Sequence, residues 1–347
     1  MILMKALVLV ENNKIEIQNI KKPHTIKTGD VLVKIAYTGV CGSDYVRFFD
    51  HQAHFTPIIL THEFSGVVEE SQSKQYKVGD HVAIVPLKPN FDDEQSQKGN
   101  YSLSEGYGFI GSREDGGLQE YKVISEENLV HIPSNIDLRT AAFIEPLTVN
   151  LHGFKVAQLK DLEVKKIALI GMGTIGLLAL QILISYGYDV TAFDISEGKL
   201  KLSRDLGAKA TVNTLNEDEL EEVYNQFDFV VETSGANQSY YLVNKLAAKK
   251  GNILYIGTPH KDLQIDFKTF ELINRKELTA RGSWMNYSAP WPGEEWTKAI
   301  RFFQKGAIKV DPLIAAEVTL DTFHTIFDDY RERKIDGKIF VTVNGAK

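Results

Sequence analysis

A single cysteine, Cys41, is all that 347 residues contain, so no disulfide can form within the chain. The thiol is left either as a small packed side chain or as a metal ligand. Nor is there any stretch approaching the ~20 consecutive apolar residues that a membrane-spanning helix requires. The opening residues, MILMKALVLVENN, show neither a long apolar core nor a small-residue cleavage pattern. A soluble, cytoplasmic protein with no membrane partner is expected. Positive charge is also scarce: 39 Lys and Arg stand against 46 Asp and Glu, for a net charge of -7. That balance excludes the basic stripe on which nucleic-acid binding depends, while a local basic pocket for one small anion remains compatible with it. Internal repeats and low-complexity tracts are missing too, and the polar stretch 90–105 is the nearest approach to a structureless loop.

What is present is enough hydrophobic material, 43% of the chain, for a large core, and the length favours two domains over one. Up to about residue 150, short apolar runs (KALVLVE, DVLVKIAYTGV, FSGVVEE, DHVAIVPL, EYKVI) alternate with Gly, Pro and Asp, which predicts a β-rich domain. From Lys165 the texture changes to strands alternating with helical patterns. The strands are KKIALIG, DVTAFDI, ATVNT, FDFVVETS, NILYIG and LTARGSW; the helices include 174–186, 199–206 and 218–226, with Gly207 as a stop. Six such strands make a complete doubly wound parallel sheet, an α/β dinucleotide-binding fold. Beyond Pro290 come a helix near 294–304, a strand near 315–319, a helix near 323–333 and the strand GKIFVTV, a tail expected to return to the first domain. The expected division is 1–152 with 289–347, and 153–288.

Gly171-Met172-Gly173-Thr174-Ile175-Gly176 follows an apolar strand and opens an apolar helix, and Asp194 closes the next strand. Each glycine has a separate duty: Gly171 allows the tight turn, Gly173 lets backbone approach a pyrophosphate, and Gly176 lets the helix pack closely on the strand. The carboxylate of Asp194 would accept from the adenosine ribose hydroxyls and repel a 2'-phosphate, so NAD is expected in preference to NADP. Lys199 reads either as a flank of that ribose or as a solvated helix lysine.

In the first domain Cys41 lies in GVCGSD, His62-Glu63 follows, and Glu145-Pro146 completes a set of one sulfur, one nitrogen and carboxylate oxygens. Zinc accepts such a mixture, and a catalytic zinc keeps three protein ligands and one open position. Taken singly, each residue also has an ordinary role: Cys41 as a packed thiol, His62 as a core histidine, Glu145 as a carboxylate at a helix start.

These residues, together with the glycine motif and the segments FIGSREDGG, FIEPLTV and GSWMNYSAPWPG, resemble the zinc-containing medium-chain dehydrogenases of alcohols and polyols over nearly the entire chain. The resemblance implies a GroES-like catalytic domain beside the Rossmann cofactor domain, and a homodimer or homotetramer. It also implies hydride transfer from a secondary hydroxyl of a sugar alcohol, a phosphorylated one, to NAD. By the same resemblance Cys41, His62 and Glu145 are zinc ligands, and Glu63 is a ligand or an exchange partner for zinc-bound water. Ser43 relays a proton and Asp44 orients His62; otherwise Ser43 is a turn residue and Asp44 the N-cap of 45–48. Thr148 packs near the nicotinamide, or merely starts a helix. Arg113, Asn286, Tyr287 and Ser288 are candidates for holding a substrate phosphate.

Two departures from the family pattern stand out. Thr61 occupies the place before His-Glu where glycine is usual. Asn90, Asp93, Ser96 and Ser104 occupy the places of the four cysteines that hold a structural zinc, so one catalytic zinc per chain is expected. The competing readings are a dehydrogenase of an unphosphorylated polyol and a non-catalytic NAD-binding protein.

Overall fold

A computed structural model describes residues 2–25, 27–259 and 261–345. The chain forms two compact units, one from Met1–Glu145 with Tyr287–Lys347, the other from Pro146–Asn286. The first break falls inside the helix Ile144–Val156, several residues before the sequence-based boundary, because no glycine or proline run marks it.

The first unit is β-rich, as its alternating apolar runs require. Its main sheet runs, in spatial order, Ile314–Thr319, Lys338–Thr342, Asp30–Val40, Glu63–Ser71, His81–Ile84 and Leu129–His131, with Tyr121–Ser125 also paired to Asp30–Val40. Apart from the parallel pair at the C-terminal end, every pairing is antiparallel. The C-terminal strand Lys338–Thr342 thus lies against Asp30–Val40, which brings the last elements of the chain to the segment ending at Cys41. Val33, Ile35, Phe64, Val82 and Ile84 fill one core; Leu7, Phe48, Phe49, Phe323 and Phe327 fill another, under the helix Gly42–Phe49. The stretch 90–105 carries two short turns of helix, Glu94–Gln97 and Tyr101–Leu103. There Asn90 N donates to Ser104 Oγ (2.9 Å), Asp93 accepts from Gln95 N (2.8 Å), and Phe91 and Tyr101 pack edge-on against Trp291.

The second unit is a six-stranded sheet, all parallel, in the order Ala210–Asn213, Asp189–Asp194, Lys166–Ile170, Phe227–Glu232, Ala247–Tyr255, Thr279–Gly282. This is the 3-2-1-4-5-6 arrangement of a complete doubly wound fold. Runs such as KIALI are apolar on both faces because helices cover both, and Ile167, Ala168 and Leu169 are fully buried. The helices Thr174–Ser185 and Glu197–Asp205 start where sequence patterning places them, to within two residues, and Gly207 ends the second with φ of +103°.

Candidate functional site

The helix Gly42–Phe49 begins three residues earlier than the N-cap reading of Asp44 supposes. Cys41 is the N-cap and Asp44 the third helical residue, and each caps the other's backbone: Cys41 N donates to Asp44 Oδ2 (2.9 Å) and Ser43 N to Cys41 Sγ (3.5 Å). Asp44 is wholly buried, and its other oxygen stands 4.0 Å from Nδ1 of His62. Neither atom has a hydrogen-bond partner. The Ser43 hydroxyl accepts from Arg47 Nη1 at 2.8 Å.

His62 and Glu63 enter from the start of the strand Glu63–Ser71, whose direction is set by the residue before them. Thr61 has φ of +74°, which a β-branched side chain rarely adopts. Two hydrogen bonds hold it there. Thr38 Oγ1 donates to Thr61 Oγ1 (2.9 Å), and Gly117 N donates to Thr61 O (3.0 Å). At Gly111 and Gly116 a Cβ would come within 2.2 and 2.0 Å of that same carbonyl. Gly111 and Gly116 of FIGSREDGG therefore leave room for this turn, and Phe109 of the same segment packs edge-on against the His62 ring (5.3 Å between centroids).

As a result one ligand atom each from Cys41, His62 and Glu63 lies within 4.8 Å of the others, the set of metal-binding geometry found among the described residues. Glu145 is buried at 8% exposure but stands outside that set; it acts electrostatically on Lys338 and Tyr287. Lys338, which sequence reading misses, also lies at this cluster. Its ammonium donates to Glu63 Oε2 and to Val40 O (3.2 Å), wholly out of water.

The electrostatics fit a cation. Burial, then the charges of Glu63 and Asp44, push the Cys41 thiol up to about 12 against the pull of Lys338. Burial likewise raises Asp44, although His62 and Arg47 oppose it. A thiol so placed becomes a thiolate ligand only when a positive ion compensates the charge, which is what a divalent metal does. A soft sulfur, an imidazole and a carboxylate at this spacing suit zinc.

In the second unit the three glycines behave differently. Gly171 has φ of +90° and would drive a Cβ to 2.6 Å from Ser234; Gly176 would drive one to 1.9 Å from Gly171 O; Gly173, the N-cap of the helix, faces open space. Thr174 and Ile175 form the first turn, and Ile175 O accepts from Asn150 (3.0 Å). Asp194 is engaged with the backbone, accepting from Met172 N (2.6 Å) and Ser196 N (2.9 Å), which fixes the glycine turn to the neighbouring strand. Beside it an open depression is lined by Glu197, Asn213, Leu215 and Glu217–Glu219, strongly acidic surroundings. The half-buried Lys199 bonds through its backbone N to the N-cap Ser196 (3.4 Å). Thr148 is buried, and its hydroxyl accepts from Asn286 (2.6 Å), a pairing no sequence signal announces. Tyr287, too, is buried, with its hydroxyl accepting from Leu87 N (3.2 Å), and Ser288 Oγ donates to Glu295 (2.7 Å).

A unit built to hold a dinucleotide and a unit carrying a thiol, imidazole and carboxylate together define a metal-dependent dehydrogenase. The comparisons agree: an Alcohol dehydrogenase GroES-like domain matches residues 27–134 and a Zinc-binding dehydrogenase domain residues 174–305. The galactitol 1-phosphate 5-dehydrogenase of Escherichia coli (strain K12) is 41% identical over 320 residues, 90% of this chain and 92% of that protein. The D-arabitol-phosphate dehydrogenase of Enterococcus avium is 32% identical over 315 residues, 87% of both. A crystal structure of galactitol-1-phosphate dehydrogenase from Escherichia coli superposes with a TM-score of 0.93 at 39% identity, covering 98% of this chain and 100% of that one. The chain belongs to the zinc-binding dehydrogenase family.

Proposed function

We propose that this enzyme oxidises one secondary hydroxyl of a sugar-alcohol phosphate, with galactitol 1-phosphate to tagatose 6-phosphate as the first choice, using NAD and one zinc ion per chain. The observation that carries the chemistry is the Cys41–His62–Glu63 cluster. The choice of a phosphorylated polyol is supported by the two relatives named above, both of which bear the names of polyol-phosphate dehydrogenases.

Cys41 Sγ and a ring nitrogen of His62 hold the ion, and a carboxylate, Glu63 within the cluster or Glu145 beside it, completes three ligands. Held by these residues, a zinc ion would supply Lewis-acid polarisation of the alcohol oxygen, and NAD would supply the hydride acceptor. Asp44 fixes the His62 ring by facing its Nδ1, which keeps the other nitrogen directed at the ion. The Ser43 oxygen accepts from Arg47 and the side chain is only half-buried, so Ser43 can hand its own proton to solvent as it takes the proton leaving the substrate hydroxyl. Lys338 neutralises Glu63 and so limits the negative charge that Glu63, Asp44 and a Cys41 thiolate would together build up at the site. In the second unit the helix N-terminus at Gly173 receives the pyrophosphate, and Thr148 with Asn286 borders the nicotinamide. The acidic depression next to Asp194 opposes a 2'-phosphate.

A panel of phosphorylated and free alditols followed by NADH absorbance tests the reading. The phosphorylated substrate is expected to give the higher kcat/KM; equal or better use of free galactitol or sorbitol overturns the phosphate assignment, and no turnover with any alditol overturns the function.

A further inference from the structure

Beside the metal cluster the first unit carries positive charge besides Lys338, and of it the chemistry above uses only Arg47. Arg47 rises from the same helix as Ser43, donating to its oxygen atoms at 2.8 Å, and lies 3.6 Å from Asp44. Arg113 is held from the other side: its backbone N donates to Phe109 O (2.9 Å), the residue whose ring packs on His62. The Arg113 guanidinium lies over the Tyr107 ring at 4.5 Å, is exposed, and makes no ion pair among the described residues. The two acids that follow it are occupied elsewhere. Glu114 pairs with Lys88 (2.5 Å) and Lys122 (3.3 Å), and Asp115 accepts from Ile59 N (2.9 Å). His54, on the exposed loop after the helix, feels both guanidiniums: partial burial first, then Arg113 and Arg47, hold its pKa below the ordinary histidine value.

A guanidinium stacked flat on an aromatic ring keeps its edge N–H donors outward, the arrangement that grips a phosphate bidentately. An imidazole beside it supplies one more N–H. Arg47 is offset by Asp44, whereas the Arg113 guanidinium makes no ion pair among the described residues and the two acids nearest it in sequence are engaged elsewhere, so an anion there meets free donors.

We infer that Arg113 and His54, with Arg47 behind them, form the subsite for the phosphate monoester of the substrate, next to the cluster that receives the hydroxyl to be oxidised. This rests on the polyol-phosphate reading and replaces Asn286, Tyr287 and Ser288 as phosphate ligands, since each is hydrogen-bonded to another protein group.

The test compares kcat/KM for galactitol 1-phosphate and for galactitol in the zinc-loaded wild type, Arg113→Met and His54→Gln, with inorganic phosphate as a competing ligand. Each substitution is expected to lower kcat/KM for the phosphorylated substrate by about 10- to 100-fold, mainly through KM, and to alter it for galactitol by less than about threefold. Inhibition by inorganic phosphate should weaken in parallel. A wild type that prefers the phosphorylated substrate, with variants that keep the full preference, overturns the subsite and leaves the substrate reading intact. A wild type without that preference overturns the substrate reading, and the subsite with it. Variants that lose both substrates equally assign Arg113 and His54 to the folding of the site and also overturn the inference.

Discussion

The ammonium of Lys338 is bonded to the carboxylate of Glu63 across 275 residues of sequence, with the two side chains 4% and 3% exposed. The pair explains two other features. Gly39 is required because a Cβ there would lie 2.6 Å from Glu63 Oε2, and the C-terminal strand must lie beside Asp30–Val40 to deliver Lys338. Burial opposes the charge on Lys338, yet Glu63, then Cys41 and Glu145, raise its pKa above the ordinary lysine value.

Removing one member strands the other. Lys338→Met should destabilise the protein by about 3–5 kcal/mol in urea unfolding, because it leaves Glu63 charged and unpaired in the core. Adding Glu63→Gln should recover part of the loss. A single-variant cost under about 1 kcal/mol contradicts the pairing as described.

Asp44 faces His62 Nδ1 and accepts from Cys41 N, so in the proposed site it would act on the ion through both ligands. Asp44→Asn preserves the shape and removes the charge facing His62 Nδ1, and should weaken zinc binding by about 10- to 100-fold in competition with a chelator. Unchanged zinc affinity contradicts the orienting role.

Thr61 balances strain against a buried hydroxyl bond. Thr61→Gly relieves the left-handed backbone while giving up the bond from Thr38, so its net effect should be within about 1 kcal/mol. Thr61→Val keeps the strain and loses the bond, and should cost about 1–3 kcal/mol. Thermal unfolding of the two variants separates the effects; a valine variant as stable as the glycine one contradicts the account.

Asp194 and its acidic neighbours should set the nucleotide preference. Asp194→Asn is expected to lower the ratio of kcat/KM for NAD over NADP by about 10-fold, the value of roughly 1.4 kcal/mol of lost repulsion. A ratio that does not move indicates that Asp194 serves only to bind Met172 N and Ser196 N.

The second unit was legible because its signals are local. The turn Gly171–Gly176 and the strands on either side lie within one βαβ stretch. The strand Lys14–Lys21, in the first unit, carried a weaker pattern because none of its side chains is fully buried. In the first unit Cys41, His62 and Glu63 were readable as residue types, but their meeting depends on sheet pairings between distant strands. Lys338 was not readable at all: a lysine in a C-terminal strand looks like a solvated one until its partner is known. The positive φ at Thr61 was hidden for the same reason, since the groups that enforce it come from Thr38 and from 111–117.

Zinc stoichiometry, measured by native mass spectrometry on the wild type and on Cys41→Ser, tests the central claim most directly. The account predicts one zinc per chain in the wild type and its loss in the variant, with NAD still bound because the nucleotide is held by Pro146–Asn286. A wild type that takes up no zinc when it is offered, or a variant that retains it, contradicts the assignment of Cys41, His62 and their neighbouring carboxylates as the metal centre.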